Sequence, residues 1–474
     1  MKRTAFTVLA VMLSALTALA DAYKTPGDGT TWTFSKLSEI PEAGLIHDGT
    51  VFTMTNDIEI ATGDNFMIES GIKILMADNV RFTVSSDADF TATEEVLFTA
   101  AGEEDQPYGI YMANSSSVTR FRNINFEHAG VRCLGEYGIE MEKCTFTAHN
   151  GLSGTSALTL GTNGAEFRIT GCTFTQCSKS AIGGAANYAT PVTIEDCIFT
   201  ENGTANANYP QLNLTVAENV TVRNCKIVGS PDHNMVGGLV VSNLVGFAGT
   251  LNTLIENNEI RDNRFGIAAY NRQTTVIRNN TITGNKYETN PMNGGSGINV
   301  YDPYKTQCTM ITGNYIEGNL WGITVIGGQD VNIGKTEDPA SPDYNPGLNV
   351  FLNNGNNGVP YDLYNNSPST VYAQGNFWKS VPGQTRENIE SVVFHKNDNP
   401  ALGEVIFMPA LEQEPTGIEE MQDGIGKATE IEIYSIDGTF LGKTASGNLP
   451  HIKQGQYILR MKTGQGTVIR KTTI

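Results

Sequence analysis

Charge is scarce in this sequence, and positive charge is scarcer still. Only 17% of its 474 residues are charged, and 31 Lys+Arg stand against 50 Asp+Glu, for a formal net charge of −19. A surface that grips nucleic acid draws its affinity from neutralising phosphates, so the shortage of bases argues against one. A coiled coil or helical bundle is rich in Lys, Glu, Ala and Leu and does not carry 50 glycines. A disordered acidic chain is excluded from the other side, because 39% of the residues are hydrophobic. Long apolar runs are missing too: beyond the N-terminus none approaches the ~18 residues of a membrane-spanning helix. What remains is glycine and asparagine at low charge, the mark of a turn-rich β protein. The length gives a prior of roughly two to four domains and ample material for a core.

The N-terminus reads as a secretory signal over residues 1–20. Lys2 and Arg3 precede an apolar run from Ala5 to Leu19, and Ala18-Leu19-Ala20 has the small-x-small pattern of a cleavage site. The run is short for a membrane anchor, so a mature chain without a transmembrane segment is expected. Seven cysteines in an exported protein ordinarily point to disulfides. Here Cys144, Cys172, Cys197 and Cys225 share one local pattern, which favours stacked, buried thiols instead.

That pattern is a repeat. Cys144-Thr145-Phe146, Cys172-Thr173-Phe174, Cys197-Ile198-Phe199 and Cys225-Lys226-Ile227 recur at spacings of 28, 25 and 28 residues. The series continues with Asn in the cysteine place: Asn258-Glu259-Ile260, Asn280-Thr281-Ile282 and Asn314-Tyr315-Ile316. Ile124-Asn125-Phe126 is an earlier member, and polar turns with second short strands follow, as in Asn263-Arg264-Phe265-Gly266-Ile267 and Asn319-Leu320-Trp321-Gly322-Ile323. Each unit offers short alternating strands bounded by Asn and Gly, which tolerate left-handed turns. One such unit cannot bury its own apolar face, so successive units must stack. Stacked as coils ~4.8 Å apart, they form parallel sheets in which equivalent residues make columns.

The repeat resembles that of right-handed parallel β-helix proteins, the solenoid of pectate-lyase-like enzymes and many secreted bacterial proteins. The resemblance covers most of residues 106–400, with closing-rung features from Asn376-Phe377-Trp378 to Val405-Ile406-Phe407-Met408-Pro409. Short strands at Asp57–Ile60, Phe66–Ile68, Ile72–Leu75 and Val80–Val84 resemble the opening coils of such solenoids. It implies an all-β fold: an N-terminal cap and opening coils over residues 21–105, then the right-handed parallel β-helix over 106–412.

Past Leu411 the texture changes to a linker, residues 413–428, and then to a small β-sandwich-like module, residues 429–474. Its strands are expected at Ile431–Tyr434, Gly455–Arg460 and Thr467–Arg470. The features Thr416-Gly417-Ile418-Glu419, Ile433–Gly438, Gly455-Gln456-Tyr457-Ile458 and Val468–Lys471 resemble the C-terminal sorting domain of type IX secretion in Bacteroidetes. The resemblance implies the type IX secretion machinery as a partner, and a product either secreted or attached to the outer-membrane surface.

Catalytic patterns are absent. The chain lacks the Asn-Thr-Asp, Asp-Asp, Gly-His-Gly and Arg-Ile-Lys signatures of polygalacturonase-like hydrolases, and Gln329-Asp330 stands without the context of pectin methylesterases. The histidines are scattered, Asp232-His233 reads as a turn, and Asp398 heads an incomplete series for a Ca²⁺ loop. Neither a metal site nor a cofactor is expected. The positive lead comes from the columns. With Gly266-Ile267, Gly297-Ile298 and Gly322-Ile323 as equivalent strand starts, alternation buries Ile267, Ala269, Ile298 and Val300 and turns Tyr270, Asn299 and Tyr301 outward. Arg272, Asp302, Tyr304, Lys305 and Asp330 follow in the adjoining turns. Stacked tyrosines with flanking polar groups suit a polysaccharide platform, and equally an aromatic ladder that only stabilises the sheet. The acidity is also uneven: residues 21–105 hold 4 bases and 17 acids, whereas residues 220–310 hold 8 bases and 6 acids. Two functions are therefore carried forward. One is a glycan-binding or adhesin-like rod; the other is a lyase or hydrolase with an unfamiliar active site.

Overall fold

Strands of three to six residues, broken every few positions by a residue in the left-handed conformation, dictate the winding of this chain. In the computed structural model the described residues are all except 1–21, 155, 162–164, 185–190, 216–218, 244–250, 271–272, 289, 306, 416–427, 436–439, 446–455, 464–465 and 474. The expected signal segment, residues 1–20, lies outside them. The chain divides into two compact units, Met1–Glu412 and Gln413–Ile474.

The first unit is a parallel β-helix. One 14-stranded parallel sheet takes a strand from every coil, beginning at Tyr23–Lys24 and ending at Val393–Phe394. Each middle coil adds two further short strands, such as Phe167–Thr170 and Thr173–Thr175, which pair in register with Val192–Glu195 and Ile198–Thr200 of the next coil. The strand starts inferred from Gly266, Gly297 and Gly322 are equivalent, since Ile267 pairs with Ile298 and Ile298 with Ile323.

In-register stacking fills the interior with columns of like residues. Phe98, Phe126, Phe146, Phe174 and Phe199 stack at centroid spacings of 5.4, 4.7, 4.7 and 5.2 Å, and the register carries the column on through Ile227, Ile260, Ile282 and Ile316 to Phe351 and Trp378. The same register would stack like charges outside, which repel. The sequence alternates them instead: Glu195, Arg223, Glu256 and Arg278 succeed one another along one outer column, as ion pairs Glu195–Arg223 and Glu256–Arg278.

The corner between the two short strands explains the Cys/Asn repeat. The residue before each repeat position is left-handed, with φ of 53° at Lys143, 62° at Gly171, 54° at Asp196, 55° at Asn224, 57° at Asn257 and 55° at Asn279. The next amide N–H is taken by a side chain one rung on. Cys144 N–H donates to Cys172 Sγ and Cys172 N–H to Cys197 Sγ, each at 3.4 Å. Cys225 N–H donates to Asn258 Oδ1 at 2.9 Å, and Asn280, Asn314, Asn349 and Asn376 continue the ladder, each accepting from the N–H and Nδ2 of the Asn before it. None of the seven cysteines forms a disulfide, and six are buried, Cys308 being half-buried. The reading of stacked thiols over disulfides stands.

A second ladder occupies the next corner, through His149, Cys177, Asn202, Asn263, Asn285, Asn319 and Asn354, each again preceded by a left-handed residue. One rung places Ser230 there, too short to bridge. Gln211 closes the gap, accepting from Asn202 Nδ2 at 3.0 Å and donating to Asn263 Oδ1 at 2.9 Å.

Both ends of the solenoid are plugged. At the start, helix Phe34–Ser38, N-capped by the Thr33 side chain, sets Phe34 against Phe52, Phe66 and Phe82 at 5.9, 5.3 and 5.2 Å. At the end, helix Arg386–Glu390, N-capped by Thr385, buries Ile389. The second unit is a four-stranded antiparallel sheet in the order Phe440–Ala445, Ala428–Ser435, Gln456–Thr463, Gly466–Thr473. Strand Phe440–Ala445 was not anticipated, because glycine at 442 and the polar Lys443-Thr444 break its apolar run.

Candidate functional site

The outer face of the 14-stranded sheet carries one continuous column. Asn213, Val240, Ala268, Asn299, Thr324, Tyr364 and Phe394 are in direct register on successive rungs. Small side chains in mid-column and large aromatics at its end leave a depression, and loops wall it to give a groove of about 560 Å³. Tyr270, Asn299, Trp321, Thr324 and Tyr364 are among its lining.

The aromatic end is rigid. Trp321 stacks on Tyr364 at 5.0 Å and lies 4.5 Å from Tyr361, while Tyr364 packs on Phe394 at 4.9 Å. The Trp321 Nε1–H donates to the Pro291 carbonyl at 2.9 Å, which fixes the indole against the short helix Pro291–Asn293. Asn290 caps that helix by accepting from Met292 N–H at 3.1 Å, and Met292 stands 80% exposed on the rim. On the floor the Ser296 and Thr324 hydroxyls are 2.9 Å apart.

Arg264 ties the loop that carries the short helix Pro291–Asn293. Its Nε lies 2.8 Å from Glu288, its Nη2 donates to the Asn293 carbonyl at 2.6 Å and its Nη1 to Asn208 Oδ1 at 3.1 Å. The Tyr270 phenol is raised above its usual range by burial, with the Arg264 charge pulling the other way. Burial likewise raises Tyr364, reinforced by Tyr361.

The sequence-predicted residues separate. Tyr270 lines the groove, and Tyr301 on the next rung meets its ring edge-on at 5.6 Å but stands outside the lining. Asp302 is not a surface ligand: it is fully buried, and its carboxylate accepts from the Tyr304 and Gln307 N–H groups, capping the turn. Tyr304, 66% exposed, and Lys305, left-handed at φ 57°, belong to that turn and are not among the lining residues. Arg272 lies outside the described residues. Asp330 belongs to strand Gln329–Gly334, which pairs in the other set of strands and is not a turn beside Tyr301; its side chain is outside the described residues. Asp232 and His233 form a turn on Ser230, and Asp398 caps another by accepting from His395 N–H. Missed from sequence were Trp321, Tyr364 and Arg264. The signal existed: extending the Asn299 column by one and two rungs leads to Thr324 and Tyr364.

Among the described lining residues there is no carboxylate and no imidazole. The paired carboxylates of glycoside hydrolysis are therefore not in this groove. Among the described residues no His, Cys, Asp or Glu group could hold a metal ion, and no helix is long and apolar enough to cross a membrane.

Residues 108–244 and 243–337 match the family model described as the right handed beta helix region. The fold is a right-handed parallel β-helix. Similar solved structures include a double mutant of the periplasmic alginate epimerase AlgG, at 12% identity and a TM-score of 0.42, covering 81% of this chain and 82% of that one. A single mutant of the same epimerase matches at 13% identity and a TM-score of 0.38, covering 81% of each chain. No curated protein sequence matches the chain.

Proposed function

We propose that this chain is an exported β-helix that binds a polysaccharide in the groove on the outer face of its long sheet, without cleaving it. The observation that supports this most directly is the aromatic end of the groove, where Trp321 and Tyr364 are stacked and locked in place. Flat apolar rings beside amide and hydroxyl groups on one concave surface match the two faces of a pyranose, apolar C–H on one side and hydroxyls around the edge. Rings already fixed before binding lose little conformational entropy on contact. The lack of carboxylates among the described lining residues weighs against hydrolysis by a carboxylate pair, and so favours recognition.

The test is binding of immobilised polysaccharides, with Trp321→Ala and Tyr364→Ala alongside the parent chain. Each substitution is expected to weaken binding about tenfold or more, comparable to the loss of other buried aromatic anchors. Unchanged binding by both variants refutes the groove. Release of unsaturated or reducing ends from the same polymers would replace the binding reading with the enzymatic one.

Export is the second half of the proposal. The secretory pattern at residues 1–20 and the likeness of residues 416–474 to a type IX sorting domain support passage across both membranes to the surface or the medium. Deleting residues 416–474 is expected to leave the protein in the periplasm, and continued surface display of the truncated chain overturns the assignment.

A further inference from the structure

The groove also specifies the charge of its ligand, an inference that rests on the binding reading above. Its described lining carries a single fully charged side chain, Arg264, and that charge is already matched. Arg264 and Glu288 are 2.8 Å apart, with side chains only 14% and 11% exposed. Arg264 Nη1 and Nη2 each donate one further hydrogen bond, to Asn208 Oδ1 and the Asn293 carbonyl. A buried pair of this kind resists being opened, because freeing either partner leaves an uncompensated charge in a poorly solvated place.

Among the described lining residues a uronate or sulfated sugar would therefore find no unmatched counter-charge. Its anionic group would shed part of its hydration against Trp321, Tyr364 and neutral amides and would gain no ion pair in return. Uncharged sugars meet no such penalty.

One atom of the lining independently asks for a hydroxyl. Asn299 Oδ1 is shielded from solvent and has no hydrogen-bond donor among the described residues. It lines the groove in register with Thr324, whose hydroxyl meets that of Ser296 on Asn299's own strand. A buried acceptor without a donor costs free energy until one arrives. A sugar O–H, or the N–H of an acetamido group, supplies that donor; this atom fixes the need for a donor, while the matched Arg264 sets the preference in charge.

We infer that the groove takes an uncharged polysaccharide, seated with a pyranose face on Trp321 and a hydroxyl or acetamido donor on Asn299 Oδ1. The base of residues 220–310 that lines the groove, Arg264, is thus held by Glu288 within the protein and is not offered to an anionic ligand.

The experiment measures binding of the full chain by calorimetry to two sets of soluble polymers, neutral glucans, mannans and chitin oligomers against polygalacturonate and alginate, at about 20 mM and about 500 mM NaCl. The expected result is that neutral polymers bind at least about tenfold tighter than the uronates and shift less than about twofold with salt. Asn299→Ala is expected to weaken the neutral ligand about tenfold with an unchanged melting temperature, and Asn299→Asp, which keeps the acceptor, to weaken it less. Tighter binding of uronates that fades with salt overturns this inference while leaving the groove reading in place, provided Trp321→Ala abolishes it. If neither polymer set binds, or if Trp321→Ala changes nothing, the groove reading and this inference fall together.

Discussion

Replacing Asn280 tests the load carried by the asparagine ladder. Its Oδ1 accepts from the Asn258 N–H at 3.0 Å and Asn258 Nδ2 at 2.9 Å, and its Nδ2 donates to the Ile255 and Arg278 carbonyls and to Asn314 Oδ1. Asn280→Ala removes all of these. Asn258 Nδ2 keeps its bond to the Val222 carbonyl, so the groups most exposed to loss are the Asn258 N–H and the Ile255 carbonyl. At about 1–3 kcal/mol for each buried group left unsatisfied, the variant should lose about 3–5 kcal/mol. The chain supplies its own control. Four rungs upstream use cysteine, whose sulfur accepts the corner N–H at 3.4 Å, as in Cys144 to Cys172. Asn280→Cys should therefore cost clearly less than Ala, about 1–2 kcal/mol. Asn280→Asp keeps the acceptor but buries a carboxylate. Its native form holds the proton more tightly than the unfolded chain, so this variant alone should lose stability as pH rises above about 4. Denaturant melts give the totals. Amide exchange at Asn258 gives the local effect, since a rung touches only its neighbours. A loss below about 1 kcal/mol for Ala, or no gain of Cys over Ala, would refute the reasoning.

Three further outcomes follow from buried groups. Burial, with Lys179 nearby, lowers His149 to about 3 from 6.5, so between those values the unfolded chain binds a proton that the native one refuses. Native stability should then fall on acidification by up to about 1.4 kcal/mol per pH unit in that window, and His149→Gln should flatten the slope in pH-dependent melts. Asp362, which ends the second ladder by accepting from Asn354 Nδ2 at 2.9 Å, is raised by burial to about 6 from 3.8. Its sign is opposite: the native state holds the proton longer, stability is lost as pH rises from 3.8 to about 6, and Asp362→Asn should remove that loss. Finally, burial raises the Cys133 and Cys177 thiols to about 12, so a thiol reagent added to native protein should modify Cys308 alone; rapid modification of the Cys144–Cys225 series would contradict the packing.

The solenoid was legible because stacking in register forces identical solutions at identical places. Cys-x-Phe and Asn-x-Ile recur at each corner for one reason, the need to satisfy the amide that follows a left-handed residue. The groove was half legible. Strand parity put Tyr270 and Asn299 on the outer face, but parity does not say which outward residues are walled in by loops. Asp302 illustrates the limit: its position beside Tyr301 suggested a ligand, while the turn that needed capping lay five residues ahead, at Gln307. Trp321 was hidden because it precedes its strand's Gly-Ile start and reaches the groove through a hydrogen bond to Pro291. Gln211 shows the same limit inside the core. No periodicity announces that a residue between strands will span the rung where Ser230 is too short.

Because both ladders are built from contacts between adjacent rungs, the fold has no fixed length. A coil carrying one residue for each ladder and one for the Asn299 column can be inserted or removed while the plugs at Phe34 and Ile389 stay unchanged. Each such step would lengthen or shorten the outer face of the long sheet by ~4.8 Å. The length of that face is thereby set by the number of coils, in steps of one inter-strand spacing.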